Sequence, residues 1–303
     1  MNSKTSAIIA ALLASVIYGI SFTVAKEVMP VYIKPYAFIV LRVTGATVLF
    51  WIAGLFVREQ IQRNDLFRIF LAAVFGASAN MLTFFKGLSL TTPISASVMM
   101  LTTPILVLIL STIILKEKIT LLKVSGILAG LIGAFVLIIY GQAIGEAKSA
   151  GWGNFLVFVN AALYSFYLII VKRLTDKYHP LTFVKWLYLM GWVIVLPFGF
   201  PELIEIQWTQ MPLAIYYKAA FVVVFATFFT YLFNLFALTR LKPTTLSIFI
   251  YLQPVIASVY ALLTGNDSLN YIKIIATLLI FSGVYMVTLS NSTRNIRTLK
   301  EKS

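Results

Sequence analysis

The chain has 303 residues, 60% of them hydrophobic and only 11% charged, with a mean hydropathy of +0.95 and a formal net charge of +14. A soluble domain carries about 25% charged residues, so this composition excludes a water-soluble globule. The absence of cysteine excludes disulfides and thiol chemistry.

Ten apolar runs each supply the roughly 20 residues that a membrane-spanning helix needs. They are predicted at 6–26, 35–57, 66–88, 92–115, 121–140, 151–173, 181–200, 212–238, 243–264 and 269–290. Runs such as ALLASVIYGI and LAGLIGAFVLIIY are apolar on all sides. Barrel strands would alternate, so the expected class is an all-α integral membrane protein. The first run is preceded only by Lys4 and continues past the length of a signal-peptide core, and reads as a true span. The joints carry Pro30 and Pro35, Asn64–Asp65, Gly141 to Gly153, Pro180, Pro201 and Pro212, and Gly265–Asn266. Loops this short leave no soluble domain and no segment for a nucleotide-driven motor.

With ten spans, both termini and the even-to-odd loops share one side. That side holds 17 lysines and arginines and the other six; Arg42, inside the second span, completes the 24. The acids divide five and five. Positive loops stay inside, so both termini are predicted to be cytoplasmic, in a cell (inner) membrane. Cytoplasmic loops beside anionic lipid account for the net charge, so the expected partners are the lipid bilayer and a small molecule, with no nucleic acid. The C-terminal TRNIRTLKEK reads as a basic tail in water or against lipid.

The stretch LTTPISASVMMLTTP, 90–104, places Pro93 and Pro104 eleven apart within apolar surroundings, and Pro243 and Pro254 repeat the spacing 150 residues later. The same offset carries Ser97 onto Ser247, Glu117 onto Asp267 and Gly133 onto Gly283. An offset of 146 carries Tyr18 onto Tyr164, Lys26 onto Lys172 and Gly45 onto Gly191. The chain therefore reads as two five-span repeats, 1–145 and 146–303, the second ending in the basic tail. Five spans is an odd number, so the second copy enters the membrane from the opposite face, an arrangement found in transporters with a site at the repeat interface. Pro93 and Pro243 stand at helix starts, where a missing N–H costs little. Pro104 and Pro254 are internal. Each frees a carbonyl near Met100 or Ile250 and bends its helix, for gating or for packing alone.

The motif LTTPISASVMMLTTPILVLILS, followed by KEKI and a glycine-bearing span, resembles the EamA family of the drug/metabolite transporter superfamily. Tyr18–Gly19 stands where that family often has Trp-Gly. The resemblance covers nearly the whole chain. It implies ten helices in two inverted five-helix bundles and export of small metabolites, amino acids among them. It also implies a central cavity walled by spans one, three, four, six, eight and nine.

Polar and aromatic residues recur at helical spacing in those spans. Candidate substrate contacts are Ser15, Tyr18 and Phe22; Asn80 and Phe84; Met100 and Thr103; Asn160, Tyr164 and Tyr167; Thr227, Tyr231 and Asn234; and Tyr251 and Gln253. Mid-membrane amides face protein or water, so hydrogen bonding between helices is the plainer alternative for each. As a set they suit a small zwitterion or aromatic metabolite. No acid lies mid-span, which argues for a facilitator or exchanger over carboxylate-based proton antiport. Arg42 and Lys86 are the candidate anion contacts. Arg42 could instead pair with Glu27, and Lys86 could snorkel to headgroups. Using both, the alternative cargo is an anionic phosphorylated or nucleotide sugar. Gly126, Gly130 and Gly133 form a close-packing stripe, either within the bundle or between two copies, so the state is a monomer or homodimer. His179, beside Pro180 in a loop, reads as solvated. The sequence holds no metal cluster, no nucleophile–base set and no phosphate-cradling loop, so neither an enzyme nor a cofactor is expected, and a receptor would need no repeat.

Overall fold

A computed structural model describes residues 3–91, 93–141, 150–263 and 271–290. Helix runs through nearly all of them: α1 (Ser3–Val28), α2 (Pro35–Gly54), α3 (Arg63–Leu90), α4 in two pieces (Pro93–Met100 and Thr103–Leu115), α5 (Leu121–Gly141), α6 (Ala150–Thr175), α7 (Pro180–Ile204), α8 (Leu213–Leu238), α9 in three pieces (Pro243–Ser247, Ile248–Leu252 and Gln253–Leu263) and α10 (Tyr271–Ser290). Among the described residues, nine columns are long and apolar enough to cross a membrane, and α5, with 21 residues, is the tenth. Apolar side chains such as Ile113, Leu128, Ile132 and Leu278 face outward, as a lipid-bathed surface requires. Asp267, Gly265–Asn266, Lys148 and the basic tail lie outside the described residues.

Most predicted ends hold to within a few residues. Pro201 is the exception: it does not close the seventh span, since α7 continues through Pro197 and Pro201 to Ile204. The extra turn carries Glu202 to the start of α2, where its carboxylate accepts from the N–H groups of Tyr36 (2.8 Å) and Ala37 (3.1 Å). Two orphan donors at a helix N-terminus are thereby satisfied. At the other end of the same pair, Glu59 accepts from the His179 N–H (3.0 Å) and the Thr182 hydroxyl where α7 begins. His179 is exposed, and its ring accepts from the Leu181 N–H at 3.3 Å.

α2 and α7, which occupy the second place in the two repeats, run antiparallel. A Cβ on Gly199 would meet the Tyr36 carbonyl at 2.3 Å, and one on Gly54 the Lys185 side chain at 2.9 Å. α5 and α10, the two fifth places, do the same: Gly126 abuts Gly283 (2.9 Å) and Gly133 abuts the Ala276 carbonyl (2.6 Å). The glycine stripe of α5 is therefore spent inside the bundle, on α10 and on the Tyr251 ring 2.4 Å from a Cβ at Gly130.

Two features of the long helices are not visible in apolar periodicity. α3 and α8 each contain a π-helical segment, Val74–Ser78 and Val224–Phe229, again 150 residues apart. Each extra residue is tied down by a hydroxyl that reaches five residues back: Ser78 to the Ala73 carbonyl and Thr227 to the Val222 carbonyl, both at 2.9 Å. Such segments rotate the downstream helix and gather at functional sites.

Candidate functional site: a cavity between the two repeats

The interior proline of each repeat does disrupt its helix, in two different ways. α4 breaks at Leu101–Thr102, with 3₁₀-type bonds from Leu101 N–H to the Val98 carbonyl and from Thr102 N–H to the Met99 carbonyl, both at 3.1 Å. α9 tightens into a 3₁₀ segment over Ile248–Leu252, and the Gln253 N–H takes the Ile250 carbonyl that Pro254 leaves free. Carbonyls exposed by these distortions are answered from the other repeat. The Tyr251 hydroxyl donates to Leu101 O (3.1 Å), and the Ser15 hydroxyl to Phe249 O (3.1 Å). In the apolar interior an unanswered carbonyl is expensive.

These distorted segments border a cavity with room for about 110 Å³ of water-sized guest, open on one side to a wider space. Its lining from the first repeat includes Ser15, Tyr18 and Ser21 of α1, Arg42 of α2, Asn80, Phe84 and Phe85 of α3, and Met100 of α4. The second repeat contributes Asn160 and Tyr164 of α6, Tyr231 and Asn234 of α8, and Phe249, Ile250 and Gln253 of α9. Residues 14–25 of α1 and 80–88 of α3 place it from mid-depth toward the face where those two helices end. Toward the opposite end Glu117 and Lys123 form a buried ion pair in the α4–α5 loop. Glu117 also accepts from the Thr244 hydroxyl at 2.6 Å, which ties the loop of one repeat to the start of α9 in the other.

The predicted contacts divide on inspection. Ser15, Tyr18, Asn80, Phe84, Met100, Asn160, Tyr164, Tyr231, Asn234 and Gln253 line the cavity. The Phe22 side chain lies outside the described residues. Thr103, Tyr167, Thr227 and Tyr251 are buried behind the wall rather than on it. Thr227 was expected on one stripe with Tyr231 and Asn234, but it sits within the π-helical segment, where the extra residue breaks the 3.6 period. Tyr231 reaches the matching segment of the other repeat and donates to Gly76 O. Asn80 and Asn160 exchange side-chain amide bonds with each other's backbone carbonyls, at 3.2 and 2.8 Å. The interhelical alternative is thus realised there. Asn160 Oδ1 stays buried with no hydrogen-bond partner, and among the described residues none is found for the side chains of Tyr18, Tyr164, Asn234 and Gln253.

Arg42 corrects two expectations. Its helix was not counted among the cavity walls, yet Arg42 is only 6% exposed and lines the cavity. It does not pair with Glu27, which instead bonds Lys218. The Arg42 Nε donates to the Thr227 hydroxyl at 3.0 Å, and the guanidinium carbon lies 4.6 Å from the centre of the Phe85 ring. Lys86 points elsewhere, with its ammonium 5.8 Å from the Tyr36 ring. Ser21, Met81, Phe85 and Leu88 belong to the lining and were not anticipated. Ser21 and Leu88 stand at helical spacing from Tyr18 and Asn80 (three and eight residues on), a signal too plain among so many apolar neighbours, whereas Met81 and Phe85 lie off that period.

Comparison with known proteins agrees with this architecture. The model of the EamA-like transporter family matches twice, over residues 5–139 and 151–289. An uncharacterized transporter of Archaeoglobus fulgidus is 30% identical over 275 residues, covering 89% of this chain and 94% of its own. The uncharacterized transporter YyaM of Bacillus subtilis is 24% identical over 278 residues, 89% of each. The uncharacterized inner membrane transporter YicL of Salmonella typhimurium is 26% identical over 236 residues, 77% of this chain and 76% of its own. A crystal structure with 18% identity superposes with a TM-score of 0.76 over 94% of this chain and 97% of that one, which supports the fold alone. With two family matches spanning the chain and a bilayer-length helix set around a cavity, the chain belongs to the EamA-like transporter family of the drug/metabolite transporter superfamily, as a multi-pass membrane transporter and not an enzyme.

Proposed function

We propose that this transporter exports small metabolites, amino acids or related zwitterions among them, by alternating access of the central cavity. The observation that carries the reading is the cavity's composition: both repeats supply its walls, and among the described residues several polar groups on them, the buried Asn160 Oδ1 included, have no hydrogen-bond partner. Buried polar groups in an apolar medium are normally satisfied, so unpartnered ones on a cavity wall fit a polar guest. The repeats 1–145 and 146–303 act as two units of opposite orientation, consistent with the antiparallel course of α2 against α7 and α5 against α10. Both termini lie in the cytoplasm of a cell (inner) membrane, in keeping with the 17-to-six distribution of basic residues. The Glu117–Lys123–Thr244 closure is then on the cytoplasmic side, and the cavity of this conformer faces outward.

The lining contains no carboxylate among the described residues. A facilitator or exchanger fits that better than proton antiport through an acid. A phosphorylated sugar would need two or more cations at the site, and Lys86 is not on the wall. The test is counterflow in proteoliposomes, with amino-acid and phosphosugar panels, with and without a pH gradient. Amino-acid exchange indifferent to the gradient is expected. Phosphosugar exchange, or a strict requirement for the gradient, would overturn the reading.

A further inference from the structure

Arg42 stands seven residues into α2, about 10 Å from its start at 1.5 Å per residue, and is 6% exposed. A buried guanidinium is costly unless it is both hydrogen-bonded and neutralised. Thr227 and the Phe85 ring hold it, but neither carries charge. No ion pair to it is found among the described residues, whereas six other cation–acid pairs are. Among the described residues that line the cavity it is the one with a charge. Its Nε is committed to Thr227, which leaves the edge bearing the two terminal nitrogens, the edge that takes a carboxylate bidentately.

We infer that Arg42 is the carboxylate anchor of the cavity and sets its substrate class: small organic monocarboxylates with an apolar or aromatic body, amino acids being one case. This rests on the transport reading above and narrows it. One cation neutralises one carboxylate, and a second anionic group would find no partner on the wall. Among the described residues no acid lines the cavity to pair with an ammonium, so the ammonium of an amino acid is dispensable. Thr227 is a positioning residue: from the π-helical segment its hydroxyl donates to Val222 O in the preceding turn, which fixes its lone pairs toward Arg42. The π-helical segment of α8 thereby sets the guanidinium's orientation.

The test uses the full chain in proteoliposomes and three probes with one body: 3-phenylpropionate, L-phenylalanine and 2-phenylethylamine. Both carboxylates are expected to be transported, and the amine not. Arg42→Gln should lower carboxylate transport at low concentration by about ten- to a hundredfold, the worth of a charge-assisted bond. Arg42→Lys should restore part of it, and Thr227→Val should cost about fivefold in apparent affinity with a smaller effect on maximal rate. Equal transport of the amine, or wild-type carboxylate transport by Arg42→Gln, would overturn the inference. If Arg42→Gln does not fold, the wild-type probe series alone decides it. Transport of L-phenylalanine and the amine without 3-phenylpropionate would sink the anchor and leave the transport reading standing, whereas phosphosugar exchange would overturn both. Transport of no probe in any panel would remove both.

Discussion

Asn234 and Asn160 are the same residue type on one cavity, and the structure gives them different work. Asn160 exchanges bonds with Asn80 across α3 and α6, so Asn160→Ala should both impair transport and lower stability by about 1 kcal/mol, from the lost interhelical bond, the Asn80 carbonyl keeping the Thr83 hydroxyl at 3.0 Å. Asn234 lines the wall, and no hydrogen bond to its side chain is found among the described residues. Asn234→Ala should therefore impair transport while leaving thermal unfolding in detergent unchanged to within about 0.5 kcal/mol. A matching loss of stability in Asn234→Ala would remove that distinction. Residue type and spacing marked both asparagines in the sequence. They could not separate the two roles, because a hydrogen-bond partner on another helix leaves no trace in local pattern.

The helices that matter most are the imperfect ones. Pro104 and Pro254 announce the breaks in α4 and α9, since a missing N–H and a ring clash are properties of the residue itself. The π-helical segments of α3 and α8 give no such notice: VFGAS and VFATF are unremarkable apolar strings, and only their shared 150-residue offset links them. The Tyr251 hydroxyl satisfies the break in α4 from across the repeat boundary. Tyr251→Phe should destabilise the protein by about 1 kcal/mol, measurable as a lower midpoint of thermal unfolding. An unchanged midpoint would mean that Leu101 O finds another donor. At the glycine contact between α5 and α10, Gly133→Leu should cost about 1–3 kcal/mol or more through overpacking, because even a Cβ would lie 2.6 Å from the Ala276 carbonyl.

Across the whole molecule, groups from both repeats are joined at the end opposite the cavity. Lys123 and Glu117 are 2% and 7% exposed, and the Thr244 hydroxyl completes the cluster. Breaking such a pair strands a buried charge, so Lys123→Met should cost about 3–5 kcal/mol. Thr244→Val removes only the cross-repeat bond. It should leave the fold intact and shift the protein toward the conformer open at the Glu117 end. Site-directed accessibility labelling near Thr244 would rise in that case, and unchanged labelling would count against the closure. The repeat places Asp267 and Lys273 at the same six-residue spacing as Glu117 and Lys123, with Lys273 buried at 4% exposure.

The sequence by itself determined the membrane class, the ten spans, the repeat and most of the polar lining. Those follow from hydrophobic length, charge counts and residue type, all of which act locally along one chain. It also placed Arg42 inside a span. Only the tertiary structure decided which side chains face the cavity, because that depends on helix rotation, and each π-helical segment changes the rotation by one residue. The partner of Arg42 was decided there as well. Glu27 is closer in sequence, but it bonds Lys218, while Thr227, 185 residues away in the π-helical segment of α8, reaches the guanidinium. A buried cation takes whatever partner packing delivers within hydrogen-bond reach, and packing is a property of the assembled helices.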